Sequence, residues 1–229
     1  MSGKHYETGE KAVSGEMGES TGRIDFYAMA APFYDFLTAP FLKASRRGIV
    51  RAAKAQQCWR ILDVACGTGE LARMLAKAGI EVNGVDLSPA MLAVARRKSP
   101  PTVAYFRGNA ENLPFESACF DCVTISLALH EMPHKMSIGA AGEILRVLSP
   151  GGKLVVFDYA SLHNRGSAVG LALMGLVEKI AGGEHFRNFV RFTRNGGIEQ
   201  FLEPFQLKTI NSRLSFMGAL QVVTMEKLR

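Results

Sequence analysis

The chain has a single tryptophan, Trp59, and only four cysteines in 229 residues. The cysteines, at positions 58, 66, 119 and 122, form no regular framework, which argues against a disulfide scaffold and predicts a reducing, cytoplasmic setting. Cys119 and Cys122 are spaced C-x-x-C, yet no second pair exists for zinc, and the pair opens a strand where a redox pair would open a helix. No metal site is expected. The longest apolar stretch, residues 168–177, is far shorter than the about 20 residues that cross a bilayer. A basic start followed by an apolar core, the mark of a signal peptide, is also missing.

Dense runs of one charge are lacking too. The formal charge is +6 and the pI about 9.3, but lysines and arginines are dispersed, so no nucleic-acid partner is expected. Transient contact with a membrane surface remains compatible with that balance. Hydrophobic residues make up 48% and charged residues 21% of the chain, enough to bury one large core, so a single domain is expected, as a monomer or homodimer.

Glycines recur among polar residues over 1–22, which predicts a flexible arm. An aromatic, helically spaced stretch follows over 23–56 and reads as an N-terminal helical cap. Beyond it, strand and helix patterns alternate, the signature of a parallel sheet built from βαβ crossovers. Strands are predicted at 60–64, 80–85, 103–106, 120–127 and 153–157. Helices fill 70–78, 88–98 and 138–148, the second opened by Ser88-Pro89 and the third closed by a turn at Ser149-Pro-Gly-Gly152. Residues 161–202 form a helical insert, and 205–216 with 219–227 form a closing antiparallel hairpin joined at Met217-Gly218. The expected fold class is α/β: a Rossmann-like, doubly wound, seven-stranded sheet of order 3-2-1-4-5-7-6 with one antiparallel strand.

The chemistry concentrates in Asp63-Val-Ala-Cys-Gly67-Thr-Gly69-Glu70, between a strand and a helix. Glycines there let the backbone approach a ligand closely, and the helix start offers free N–H groups. The run Gly67-Thr-Gly69-Glu-Leu-Ala72 also fits a dinucleotide fingerprint, so an NAD-dependent oxidoreductase is a rival reading. Asp63 would repel a diphosphate and attract an ammonium or sulfonium. Asp86, 19 positions after Gly67, ends the second strand where a carboxylate can accept both ribose hydroxyls of an adenosine.

Four segments in order, Ile61 to Gly69, Gly84 to Leu92, Gly108 to Phe115 and Leu145 to Leu154, resemble the motifs of class I methyltransferases. The nearest resemblance is to the quinone-ring C-methyltransferases of ubiquinone and menaquinone synthesis. It implies S-adenosyl-L-methionine as cofactor, S-adenosyl-L-homocysteine as product, and a small, apolar or aromatic, quinone-like or lipid-like acceptor. By the resemblance Asp63, Ala65, Cys66, Gly67 and Gly69 hold the methionine part, with Asp86 at the ribose. Leu87 and Met91 flank the adenine, while Asn109, Ala110 and Glu111 meet its edge. Ser126, and Tyr27 and Tyr34 from the cap, complete the cofactor site. Ala65 stands where a glycine is frequent and Asn109 where aspartate is frequent; an asparagine oxygen can still accept a hydrogen bond.

Methyl transfer from a sulfonium asks mainly for alignment and exclusion of water. A base helps if the acceptor is a phenol or an acidic carbon, and Ser126-Leu-Ala-Leu-His130-Glu-Met-Pro-His134 lies where it should stand. His130 is the expected catalytic base and Glu131 its orienting partner. The stretch lacks the Asn-Pro-Pro-Tyr sequence that resembles enzymes acting on nucleic-acid amino groups. Within the insert, Phe186, Phe189, Val190 and Thr193 share a helical face opposite Arg187, Arg191 and Arg194, an apolar lid with an arginine rim. A non-catalytic sensor that binds an adenosyl ligand is the second rival reading.

Overall fold

The computed structural model describes residues 42–162 and 165–228. The predicted arm, most of the predicted cap, and Tyr27 and Tyr34 lie outside the described residues. Helix α1 covers 42–55 and buries Leu42, Ile49 and Ala53. There follow β1 (Arg60–Val64), α2 (Glu70–Lys77), β2 (Glu81–Asp86), α3 (Pro89–Lys98), β3 (Val103–Arg107), β4 (Phe120–Ser126), α4 (His134–Val147) and β5 (Leu148–Tyr159). Helices α5 (Arg165–Ala181), α6 (Gly183–Arg194) and α7 (Gly197–Leu202) precede β6 (Leu207–Ser215), a 3-10 turn at Phe216–Gly218 and β7 (Leu220–Lys227).

The seven strands form one sheet of order β3-β2-β1-β4-β5-β7-β6, the order expected from the sequence. Strands β1 to β5 pair in parallel and β7 runs antiparallel to both neighbours. Helices cover both faces, which is why the central strands carry near-continuous apolar runs. One core joins α1, α2 and α3 to Tyr105, Phe157 and Phe189. The other packs Ala141, Ile144 and Val147 of α4 and Ile198, Phe201 and Leu202 of α7 under Leu62, Val123 and Ile125.

Helix α3 starts as its sequence requires. Ser88 sits at the N-cap with its hydroxyl accepting from the Met91 N–H, and Pro89 takes the first turn, where a missing N–H costs nothing. Two local readings are corrected. Ser149-Pro-Gly-Gly152 is part of β5, because Leu148 pairs with Phe120 and Lys153 with Cys122, so the extra residues are accommodated as an irregularity in which Gly151 adopts φ +74°. Helix α4 begins at His134, earlier than Ile138, its first turn closed by the Ser137 N–H donating to the Pro133 carbonyl at 3.0 Å with no side-chain cap and no apolar periodicity to signal it. The insert holds three helices, and among the described residues no helix is long and apolar enough to cross a membrane.

Candidate functional site

The order of the sheet reverses between β1 and β4, and the carboxyl ends of these strands open a crevice there. A cavity of about 1110 Å³ fills it. Eleven of the residues expected at the cofactor line this cavity: Asp63, Ala65, Cys66, Gly67, Asp86, Leu87, Met91, Asn109, Ala110, Glu111 and Ser126.

The turn after β1 is built from left-handed backbone at Ala65 (φ +53°), Gly67 (φ +54°) and Gly69 (φ +73°). Ala65 holds that conformation despite its Cβ, the kind of local strain that collects at binding sites. Space above Gly67 is open, so its bare backbone faces the cavity. Gly69 itself does not line the cavity; its role lies underneath, where a Cβ would come within 2.1 Å of the Tyr105 hydroxyl. Tyr105 is held there by a 2.8 Å hydrogen bond to Ser99. Gly69→Ala is therefore expected to cost at least the about 1–2 kcal/mol of a left-handed L-residue and to displace the turn, read as a lowered melting temperature together with weakened S-adenosylhomocysteine binding.

Asp86 is fixed from both sides. Its carboxylate accepts from the Gly67 N–H at 2.7 Å and from the Ser88 N–H at 2.9 Å, which ties the first turn to the second and aims the acid at the cavity. Asp63 is 2% exposed and accepts the Thr124 hydroxyl at 2.7 Å. Burial pushes its carboxyl up to about 7, further raised by Asp86 and opposed by Thr124 and Arg46. A buried acid so placed gains most from a cationic ligand. Beside it the Ser126 hydroxyl is buried with no hydrogen-bond partner, an acceptor or donor left for whatever enters. Asn109 uses its side-chain oxygen to accept the Glu111 N–H at 3.0 Å, so it shapes its own loop at the cavity wall.

Sequence reasoning missed several parts of the cavity. Arg46 of α1 reaches it and is paired with Glu70 at the start of α2. Gly182 and the start of α6 (Gly183, Glu184 and His185) supply the far wall together with Arg187, the member of the expected arginine rim that reaches the cavity, whereas Phe186, Phe189, Val190 and Thr193 do not line it. Arg187 apart, no local signal could have found them, because their place depends on how α1 and α5 pack on the sheet.

His130 is placed differently from the expectation of a base at the pocket wall. Its side chain is 2% exposed and does not line the cavity. Nδ1 lies 2.6 Å from Asp158 Oδ1, and Nε2 lies 3.4 Å from Glu178 Oε1. Asp158 also accepts the N–H groups of Leu129 and Tyr159, while Glu178 accepts the Tyr159 hydroxyl. Burial works against the charged imidazole, but Asp158, then Glu178 and Glu131, outweigh it and hold the ring well above the usual histidine range. For Glu178, burial raises the carboxyl while the His130 contact lowers it more, leaving it below the usual range. The physical picture is an imidazolium clamped between two acids under the pocket floor. Glu131 is the neighbour that reaches the cavity, 3.9 Å from His130 Nε2 and 3.9 Å from His185 Nδ1.

Sheet order and the glycine turn after β1 together define the class I methyltransferase fold, with a crevice lined by an acid pair. Residues 61–152 match the family described as a methyltransferase domain. More particularly, the chain is related to bacterial quinone methyltransferases. It is 39% identical over 142 residues to the demethylmenaquinone methyltransferase of Thermus thermophilus, covering 58% of this chain and 64% of that one. It is 33% identical over 147 residues to the ubiquinone/menaquinone biosynthesis C-methyltransferase UbiE of Pectobacterium carotovorum, covering 59% and 57%. The chain thus spans somewhat over half the length of the relatives it matches.

Solved structures share the fold. The magnesium protoporphyrin IX methyltransferase of Synechocystis, with bound S-adenosylhomocysteine, superposes with a TM-score of 0.59 at 16% identity over 80% of this chain and 82% of its own. The cyclase SpnF does so with a TM-score of 0.63 at 19% identity over 88% and 93%. A fold that carries a cyclase as well as a methyltransferase leaves the reaction to the site.

Proposed function

We propose that the chain transfers the methyl group of S-adenosylmethionine to a small aromatic acceptor of the quinol type, acting in the cytoplasm. The observation that carries this reading is the pair of carboxylates, Asp63 and Asp86, on either side of an open glycine turn. The residues fit that cofactor: a buried acid for an ammonium, a backbone-fixed acid for ribose hydroxyls, and an unpartnered Ser126 hydroxyl at the end of β4, on the side of Asp63 away from Asp86. When bound, the cofactor supplies an electrophilic methyl on a sulfonium. The protein's part is alignment in a cavity that excludes water.

The cavity continues past the acid pair to Met132, Met136, His185 and Arg187, room for a second molecule. Glu131 is the cavity-lining group in reach of an acceptor hydroxyl, and His130 positions it from below. A dinucleotide fits poorly, since a diphosphate on this turn would meet the carboxylates of Asp63 and Asp86, and the nearby cation Arg46 is already paired with Glu70. A sensor would not need the acceptor space.

The relatives' names point to a demethylated naphthoquinol as acceptor. The test is methyl transfer from labelled S-adenosylmethionine into a short-chain demethylmenaquinol, with calorimetric titration of S-adenosylhomocysteine and NAD. Label in the quinone, and heat with S-adenosylhomocysteine but not with NAD, are expected. Heat with NAD alone would replace the reading by the oxidoreductase, and S-adenosylhomocysteine binding with no transfer to any quinol would replace it by the sensor.

A further inference from the structure

Helix α5 buries only small or polar residues fully, namely Ser167, Gly170, Gly175 and Glu178, while Leu171 and Met174 are partly buried against the core. Close approach demands this: a Cβ on Gly170 would stand 2.8 Å from the Ala219 Cβ and 2.9 Å from the Phe216 carbonyl oxygen, and one on Gly175 would stand 3.3 Å from the Phe189 ring. Four other large apolar residues are left outside. Val169 is 50% exposed, Leu173 46%, Leu176 61% and Val177 54%, with Ala168 and Ala172 exposed between them. Their spacing of three and four residues puts them on one stripe.

From residue 166 to 177 the helix holds no charge. Arg165 and Lys179, both exposed, bracket the stripe, and Glu178 is turned inward to Tyr159. Neighbouring α6 exposes Arg187, Arg191 and Arg194, and the one exposed acid on the two helices is Glu184. An uninterrupted apolar stripe with cations at its rim is the surface that an anionic bilayer accepts: side chains enter the acyl boundary while Arg and Lys meet headgroups. At 17 residues, about 25 Å long, α5 is too short to span the bilayer and suited to lie in its surface.

We infer that the outer face of α5 is a docking surface for an anionic lipid bilayer. A second copy of the chain is a worse occupant. Any two-fold pairing of α5 with itself brings Arg165 and Lys179 of both copies to the same contact, with no exposed acid on the helix to offset them. The inference stands apart from the methyl-transfer reading, because binding needs neither cofactor nor acceptor. It adds that the α5–α6 turn, which lines the cavity, is held at the lipid surface.

The test is flotation of the full chain with vesicles of phosphatidylcholine, with and without phosphatidylglycerol. Binding to the mixed vesicles is expected, at least tenfold stronger than to phosphatidylcholine alone. Leu173→Gln with Leu176→Gln should reduce it tenfold or more at unchanged melting temperature and unchanged S-adenosylhomocysteine affinity. Arg165→Glu with Lys179→Glu should remove the preference for phosphatidylglycerol. Absent flotation, or equal flotation of the double glutamine variant, overturns the inference. So does a solution dimer that this variant dissolves, which would make the face a contact between copies.

Discussion

Asp63→Asn is expected to raise the stability of the free protein above neutral pH and, in the same buffer, to weaken S-adenosylhomocysteine binding by roughly tenfold to a hundredfold, the range for a charge-assisted hydrogen bond in a dry site. The opposite signs follow from one fact. The carboxyl of Asp63 titrates at about 7, up from an ordinary 3.8, because the fold buries it. Between those values the unfolded chain has lost its proton and the native one has not, so native stability falls as pH rises through that window and stays lower above it. Asparagine keeps the neutral shape beside Thr124 and escapes that loss. It cannot, however, offer a negative charge to an ammonium. For the unaltered protein, affinity should therefore fall about tenfold per pH unit below 7 and level off above it, whereas the variant should show a flat profile. Calorimetry across that range, with denaturation of the free protein, reads both signs. A pH-independent affinity in the unaltered protein would remove Asp63 from the binding account.

His130→Ala should cost about 3–5 kcal/mol of folding stability, the usual consequence of taking one partner from a buried ion cluster, because Asp158 and Glu178 would be left facing each other without their cation. His130 has a native pKa raised above the unfolded 6.5, so its contribution is complete below pH 6.5 and is lost as pH rises through the native value. The loss in the variant should accordingly be largest in acid and neutral buffer and shrink in alkaline buffer. Adding Glu178→Gln to His130→Ala should recover part of the stability, since one buried charge fewer remains unpaired. Chemical denaturation at several pH values measures both. An unchanged denaturation midpoint with lost methyl transfer would return His130 to the role of base.

His130 also shows where sequence reading stops. Its position after β4 and beside Glu131 is visible in the order of residues, and that order suggests a base at a strand's carboxyl end. Whether the ring points into the crevice or beneath it depends on Asp158, 28 positions later, and on Glu178, which α5 carries back over the sheet. The Arg46–Glu70 pair was hidden for the same reason, as was which residues of the 161–202 insert reach the cavity. Ser149-Pro-Gly-Gly152 was misread because turn residues signal a change of direction equally well in a loop and in an irregular strand.

Alternating apolar runs, the turn from Asp63 to Glu70 and the acid at the end of β2 are local patterns that mark the strands and the site, and with the resemblance of four ordered motifs they led to the seven-strand order and to one crevice for Asp63, Gly67 and Asp86. Backbone sterics and strand period act between near neighbours in the chain, so they are written in consecutive residues. The charge state of Asp63, the burial of His130 and the outward apolar face of α5 were decided by the tertiary structure alone. Solvent exclusion and the distance between charges are properties of which distant segments meet, and no short stretch of sequence contains them.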